Sequence, residues 1–456
     1  MVVLPSGPPD SIPGVTVKPS ARPLGFFMAT ALVVGNIVGS GVYLLPASLA
    51  PYGPNSLVAW LFTATGALLL AAVFAALSRA FPKDGGPYVY TRAAFGELAG
   101  FVVAWGYWVS VWVGNAAIAT GAVSYTSALA PWIAGIPGAS AVVTIAVVWV
   151  LTLVNCWGAR AAGWVQAVTT VLKLLPLLAV AVVAGFFVRR ETLASFADVP
   201  LTLDAATAAA TLTLWAMLGL ESATVPAEKV KRPEWTIPLA TLIGTIVTAL
   251  LCALACSLVM LVVPASRLAV SNAPFADAAR VFWGEGASTL VALFAAISAY
   301  GALNGWILVQ GELPWAMARD GLLPRVFARE SGRGTPVSSL VTTSGLVTLL
   351  VLANFHKSMV QVFTFTILLA TCATLVAYLV CSLALLLLLW RGRLAGFRRG
   401  TPWLATAGTL GTAYSLWAIA GAGRDATIWG TVLLLAALPV YALMKGAQRR
   451  RALGDG

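Results

Sequence analysis

The feature that most limits what this chain can become is the repetition, from end to end, of apolar runs about as long as the 18–20 residues a helix needs to cross hydrocarbon. Such a run rises about 1.5 Å per residue, covers a layer of roughly 30 Å, and satisfies its own backbone polar groups, which lipid cannot do. Composition agrees: 60% of the 456 residues are hydrophobic and 10% charged, against roughly 45–50% and 25% in a soluble domain. A water-soluble fold of this length has nowhere to hide that much apolar surface. The pattern predicts an all-α polytopic membrane protein with about 12 transmembrane helices, near residues 25–47, 55–78, 96–128, 139–158, 163–188, 206–225, 236–264, 286–316, 336–355, 360–390, 402–421 and 426–445. Short Pro- and Gly-marked loops, such as Lys83 to Pro87 and Gly334 to Pro336, separate them. Residues 1–23, rich in Pro, Ser and Gly, lack the build of a signal peptide and read as a disordered cytoplasmic tail, with a second tail at 447–456.

The net charge of +12 is a topology signal. Cytoplasmic loops retain Lys and Arg, and with both termini inside, the inner segments hold 21 basic residues and the outer ones 6, leaving Lys173 within a span. Nucleic-acid binding would need a basic face with polar or aromatic readout, and here the charges are scattered over short loops. Cys156, Cys252, Cys256, Cys372 and Cys381 all fall in apolar runs without a pairing or metal-ligand spacing, so they read as packing residues. His356 is the only histidine. Metal sites, cofactor sites and histidine-driven catalysis therefore have almost no raw material, and no cofactor or metal is expected. A channel would need repeated polar or charged rings, which are absent from the spans.

Two spans are interrupted. The first reads Gly35-Asn36-Ile37-Val38-Gly39-Ser40-Gly41-Val42-Tyr43, with three glycines where each costs about 1 kcal/mol relative to Ala in a helix. Gly35 and Gly39 form a GxxxG pair that close helix packing alone would explain; an unwound segment whose free N–H groups receive an anion would explain it as well. The sixth reads Leu214 to Ala223 and carries Glu221. A mid-bilayer carboxylate costs about 3 kcal/mol, so it faces a cavity or a partner unless the helix ends early and the charge snorkels out. The breaks lie five spans apart. Paired interruptions in two halves are the best sequence pointer to a transporter site. They divide the chain into a unit at 24–190 with helices 1–5, an inverted unit at 205–390 with helices 6–10, and appended helices 11 and 12 at 400–446.

From about Leu24 to Leu443 the residues resemble the amino acid-polyamine-organocation (APC) superfamily, and within it the basic amino acid/polyamine antiporters of arginine/agmatine type. The matching stretches are Gly35 to Pro46, Gly85 to Tyr90, Tyr107-Trp108, Trp112 to Asn115, Val165 to Ala167, Leu214 to Ala223, Ala273 to Arg280, Asn304 to Trp306, Asp320 to Leu322 and Gly334 to Pro336. The resemblance implies a LeuT-like 5+5 inverted repeat. It implies that Ser40 and Gly41 bind a substrate carboxylate, and that the carbonyls of Ile37, Trp215 and Leu218 accept bonds from its ammonium. Trp215 would stack on a cationic side chain, and Trp306 would close the site from the cytoplasmic side. Tyr107, Glu221 and Tyr378 would form the outer gate. Asn115 and the region of Ser110 would meet the far end of the side chain.

The sequence departs from the arginine/agmatine pattern at Ala370 and Val111, where a serine and a cysteine are usual, which leaves fewer donors and acceptors for a guanidinium. Lys173 stands where other branches of the superfamily carry a lysine in place of a sodium ion; it pins helix 5 to helix 1 or exchanges a proton during transport. The expectation is an inner-membrane antiporter that exchanges an amino acid, cationic favoured, by alternating access. The alternatives are a proton-coupled permease for neutral or broad substrates using Lys173 and, more remotely, a membrane-embedded enzyme. The expected partners are a small-molecule amino acid or amine and the lipid bilayer, and a homodimer is the expectation by analogy with the branch.

Overall fold

A computed structural model describes residues 25–39, 41–83, 85–157, 172, 174–224, 227, 230–332, 334–394 and 401–454, and among them the regular structure is helical. The elements that position the site are α1 (Phe26–Ile37), α2 (Gly41–Leu49), α3 (Asn55–Ala80), α4 (Pro87–Phe95), α5 (Glu97–Leu129), α6 (Ala139–Trp157), α7 (Leu174–Phe187), α8 (Leu203–Trp215), α9 (Pro233–Val262), α10 (Pro274–Arg319), α11 (Val337–Ala353), α12 (Met359–Trp390), α13 (Thr401–Gly421), α14 (Arg424–Leu435) and α15 (Ala437–Gly454). Every expected span falls on one or two of them. Eight stretches of the described residues are long and apolar enough to cross a membrane. The fifth span is described only from Leu172 onward, and α11 is a shorter apolar helix. The sixth is short because α8 stops at Trp215. The segment 447–454, expected as a tail, instead continues α15. Gln448 donates to the Gly321 carbonyl at 2.8 Å and Lys445 pairs with Glu97 at 2.6 Å, which holds this charged but helix-favouring stretch against the bundle.

Local chemistry sets several ends. Ser358 and Gln361 form a capping box at the start of α12, each satisfying the other's backbone N–H. Gly284, at φ 78° and ψ −172°, breaks α10, so the membrane helix follows a short preceding helix. Gly86 has φ 46°, and a Cβ there would lie 2.6 Å from Thr224 Oγ1. The turn before α4 is thereby seated against the segment that follows Glu221.

The apolar interior forms two large clusters. One gathers α1, α2, α3, α8 and α9 with the first part of α10 and the later part of α12. The other gathers the middle of α5 with α6, α11 and the adjoining stretches of α10 and α12. Trp215 packs against both.

Polar side chains knit the second cluster. Asn115 Nδ2 donates to Gln310 Oε1 at 2.7 Å, and Gln310 Nε2 donates to Ser344 Oγ at 2.8 Å. Ser344 Oγ lies 2.7 Å from Thr152 Oγ1, and Trp108 Nε1 donates to Thr343 Oγ1 at 3.2 Å. Four helices are tied through Gln310. Gln310→Leu leaves the Asn115 amide without its acceptor, and the expected loss is about 1–2 kcal/mol. A thermal midpoint measured in detergent should fall by a few degrees; an unchanged midpoint would show that the network carries no stability.

Candidate functional site

Helix α1 ends because Val38 adopts φ −74° and ψ 75°, an inverse γ-turn in which Gly39 N–H donates to the Ile37 carbonyl at 2.8 Å. A Cβ on Gly39 would meet nothing nearer than Asn36 O at 3.9 Å, so this glycine is not a packing contact and the GxxxG explanation does not hold at its position. It faces a cavity. The partner break begins after Trp215, where Ala216, Met217 and Leu218 make turn-type bonds back to Thr213, Leu214 and Trp215. Gly219 takes φ 104° and lies against the last turn of α1, where a Cβ would be 3.3 Å from the Asn36 carbonyl carbon. The two interruptions are therefore one structure, with each supplying the surface on which the other unwinds.

Between them lies a narrow cavity of about 50 Å³. Its wall includes nine of the residues singled out from sequence: Ile37, Gly41, Tyr107, Ser110, Val111, Trp215, Leu218, Glu221 and Trp306. Asn36, Gly39, Val42, Gly114, Ile118, Ala216, Gly219 and Thr374 complete it. Of these the glycines and Asn36, a small polar residue inside the first span, carried a sequence signal; Thr374 gave none. Ser40 and Lys173 lie outside the described residues, as do Val165, Gln166 and Ala167.

Trp215 is boxed. A Cβ at Gly41 would collide with its Nε1, and a Cβ at Gly114 would stand 3.0 Å from its Cη2. The ring fits only because both helices that face it carry glycine. Glu221, 1% exposed, sits in the unwound segment, where Tyr107 Oη donates to Oε1 at 2.9 Å and Tyr378 Oη donates to Oε2. One carboxylate thus joins α5, α12 and the break after α8.

Tyr107, Glu221 and Tyr378 do converge, and two other expectations need correction. Tyr107 lies ten residues from Glu97, and Tyr378 lies twelve residues before Trp390. Those helix ends share the face bearing the Arg391 bond to the Ala94 carbonyl and the Lys445–Glu97 pair. That is the Arg- and Lys-rich face, so the triplet lies on the side of the cavity toward it. Sequence order alone carries this only once helix direction is followed. Asn115 is not in the cavity wall: its Nδ2 donates to Gln310, while its Oδ1 is buried without a hydrogen-bond partner among the described residues. Ala370 is fully buried in the second cluster, behind the Trp215 ring and Gly114.

Two of the expected ammonium acceptors are partly engaged. The Ile37 carbonyl accepts Gly39 N–H at 2.8 Å and the Trp215 carbonyl accepts Leu218 N–H at 3.2 Å, each with a second lone pair free for another donor. The Ser110 hydroxyl donates to the Tyr107 carbonyl at 2.8 Å. Below the gate, Arg92 donates to Tyr88 Oη at 2.9 Å and Tyr88 donates to Asp320 at 3.0 Å, fastening α4 to the end of α10. Burial first, and then the Asp320 carboxylate, push the Tyr88 phenol up to about 12, so it remains a donor at neutral pH.

A family model described as amino acid permease matches residues 24–443, nearly the whole chain. The chain belongs to the amino acid permease family. It is thus a multi-pass membrane transport protein of the APC superfamily and not an enzyme. Among curated proteins it is 35% identical over 341 residues to the cadaverine/lysine antiporter of Escherichia coli (strain K12), covering 73% of this chain and 75% of that one. It is 31% identical over 422 residues to the putrescine transporter PotE of Haemophilus influenzae, covering 92% and 96%. PotE of Escherichia coli (strain K12) is 30% identical over 430 residues, again covering 92% and 96%.

Proposed function

We propose that this permease is an inner-membrane antiporter that exchanges a cationic amino acid for a decarboxylated amine through the Trp215 cavity. The observation that carries this is the meeting, in one enclosed space, of the Glu221 carboxylate, the Trp215 indole and the ends of two broken helices. The carboxylate and the carbonyl ends favour an ammonium, the indole face accepts a cation, and the first N–H groups of α2 favour a carboxylate. The relatives named for cadaverine, lysine and putrescine support the same substrate class. A primary ammonium suits the site better than a guanidinium, because Val111 and Ala370 offer no polar atom to a broad, five-donor head.

The transport cycle in this reading has twelve spans in two inverted five-helix units, with both termini in the cytoplasm. The two apolar clusters are the bodies that rock, and Trp215, which packs on both, is the boundary between them. Tyr107, Glu221 and Tyr378 close the inner side, with Trp306 beside them. Bound substrate supplies the energy of closure, because an antiporter crosses only when loaded.

Counterflow in proteoliposomes tests the proposal. Labelled lysine and putrescine should enter only vesicles loaded with a cationic amino acid or diamine, arginine should exchange more weakly, and leucine should not accumulate. Trp215→Leu should weaken cationic substrates by about 2- to 30-fold, the span of a cation–π contact of about 0.5–2 kcal/mol. Leucine uptake into empty vesicles would overturn the reading.

A further inference from the structure

On the face opposite the Arg-rich one lies a second, wide-open cavity of about 790 Å³ between α2, α12 and the turn joining α13 to α14. It is lined by Ser48 on α2, Thr364 on α12, and the charged side chains Lys357, Arg424 and Asp425, with His356 at its edge. Ser48 Oγ and Thr364 Oγ1 are 2.7 Å apart at its floor and join the two helices. The same two helices carry Val42 and Thr374 in the wall of the central cavity. Val42 precedes Ser48 by six positions on α2 and Thr374 follows Thr364 by ten on α12, about 9 Å and 15 Å along the helix axes. Helices α2 and α12 therefore border both cavities, and the Ser48–Thr364 contact ties them together at the outer one.

Lys357 holds its ammonium 4.7 Å from the Phe365 ring centroid, which fixes the charge at the cavity wall. Among the described residues no salt bridge involves Lys357, Arg424 or Asp425. Two cations face one anion across an open space.

We propose that this cavity is an outer antechamber that recognises the carboxylate of an incoming amino acid and turns away a diamine. The inference rests on the antiport reading above. A cationic amino acid, net +1, and its decarboxylated diamine, net +2, differ by one carboxylate, so a net positive antechamber repels the amine more than the acid. Entry of the amino acid and departure of the amine are then favoured at the same face, and exchange acquires a direction without any change in the central site. Each unit of charge about 7 Å away in water changes the relative occupancy of the two by about threefold, and less once salt screens it.

Right-side-out vesicles from cells expressing the full chain, loaded with unlabelled lysine, give the measurement: the outside KM for labelled lysine and for labelled cadaverine, at one fixed pH and at low and high ionic strength. Lys357→Gln with Arg424→Gln should raise the lysine KM relative to the cadaverine KM by about two- to sevenfold at low salt, with little change in maximal rate. Asp425→Asn should move the ratio the opposite way, and both shifts should shrink at about 0.5 M salt. If the unmodified chain exchanges both compounds but neither variant moves the ratio, the antechamber is overturned and the antiport reading stands. If the unmodified chain exchanges neither, the antiport reading itself has failed.

Discussion

Glu221→Gln is expected to lower exchange of cationic substrates about 10- to 100-fold while the bundle stays folded. The carboxylate is buried, it accepts bonds from two phenols on two helices, and it lines the cavity. An amide offers one acceptor oxygen, so either Tyr107 or Tyr378 loses its partner, and the substrate ammonium loses its countercharge in a space with little water to replace it. Hydrogen bonds to charged groups are worth about 1.5–3 kcal/mol, which sets the expected factor. The charge and the gate can be told apart. Tyr107→Phe and Tyr378→Phe each keep the carboxylate and remove one bond, so they should alter the maximal rate more than lysine binding, whereas Glu221→Gln should lose both. The measurement is lysine counterflow alongside size-exclusion behaviour. Full exchange by a monodisperse Glu221→Gln protein would exclude any role of that charge in transport.

Gly41→Ala should abolish exchange almost completely, with a fall of about 100-fold or more. The added methyl would overlap the Trp215 indole, and the ring cannot slide aside because Gly114 limits it on the other side. Overpacking of this kind costs about 1–3 kcal/mol when backbone or ring must shift, and here the atoms that shift are the start of α2 and the stacking face of the site. Gly114→Ala, which meets only the ring edge at 3.0 Å, should be milder. A smaller ring should partly restore function, so Gly41→Ala combined with Trp215→Phe is expected to exchange better than Gly41→Ala alone. If the double variant is no better, the collision with Trp215 is not the cause of the loss.

Both experiments concern residues that sequence order had already marked, and the reason is physical. Glycines and a carboxylate inside lipid-length runs are costly, so Gly39, Gly41, Gly219 and Glu221 stand out against their background without any alignment. Thr374 lines the same cavity and was not marked. A single threonine in a long apolar helix is unremarkable, and only its place in the packed bundle makes it part of the wall. Asn115 was marked and proved to belong elsewhere, because an amide in lipid needs a partner, and sequence does not say whether that partner is substrate or Gln310.

The sequence by itself determined that the chain lives in lipid, where its helices run, which two are broken, and which face is rich in Arg and Lys, since each follows from hydrocarbon thickness and the cost of charge within it. Only the tertiary structure decided that the two breaks rest on each other at Asn36 and Gly219, that Trp215 fits between two glycines on different helices, and that Tyr107 and Tyr378 meet at the Glu221 carboxylate. Those relations join residues far apart in the chain. They depend on how helices pack around one another, which no local run of residues encodes.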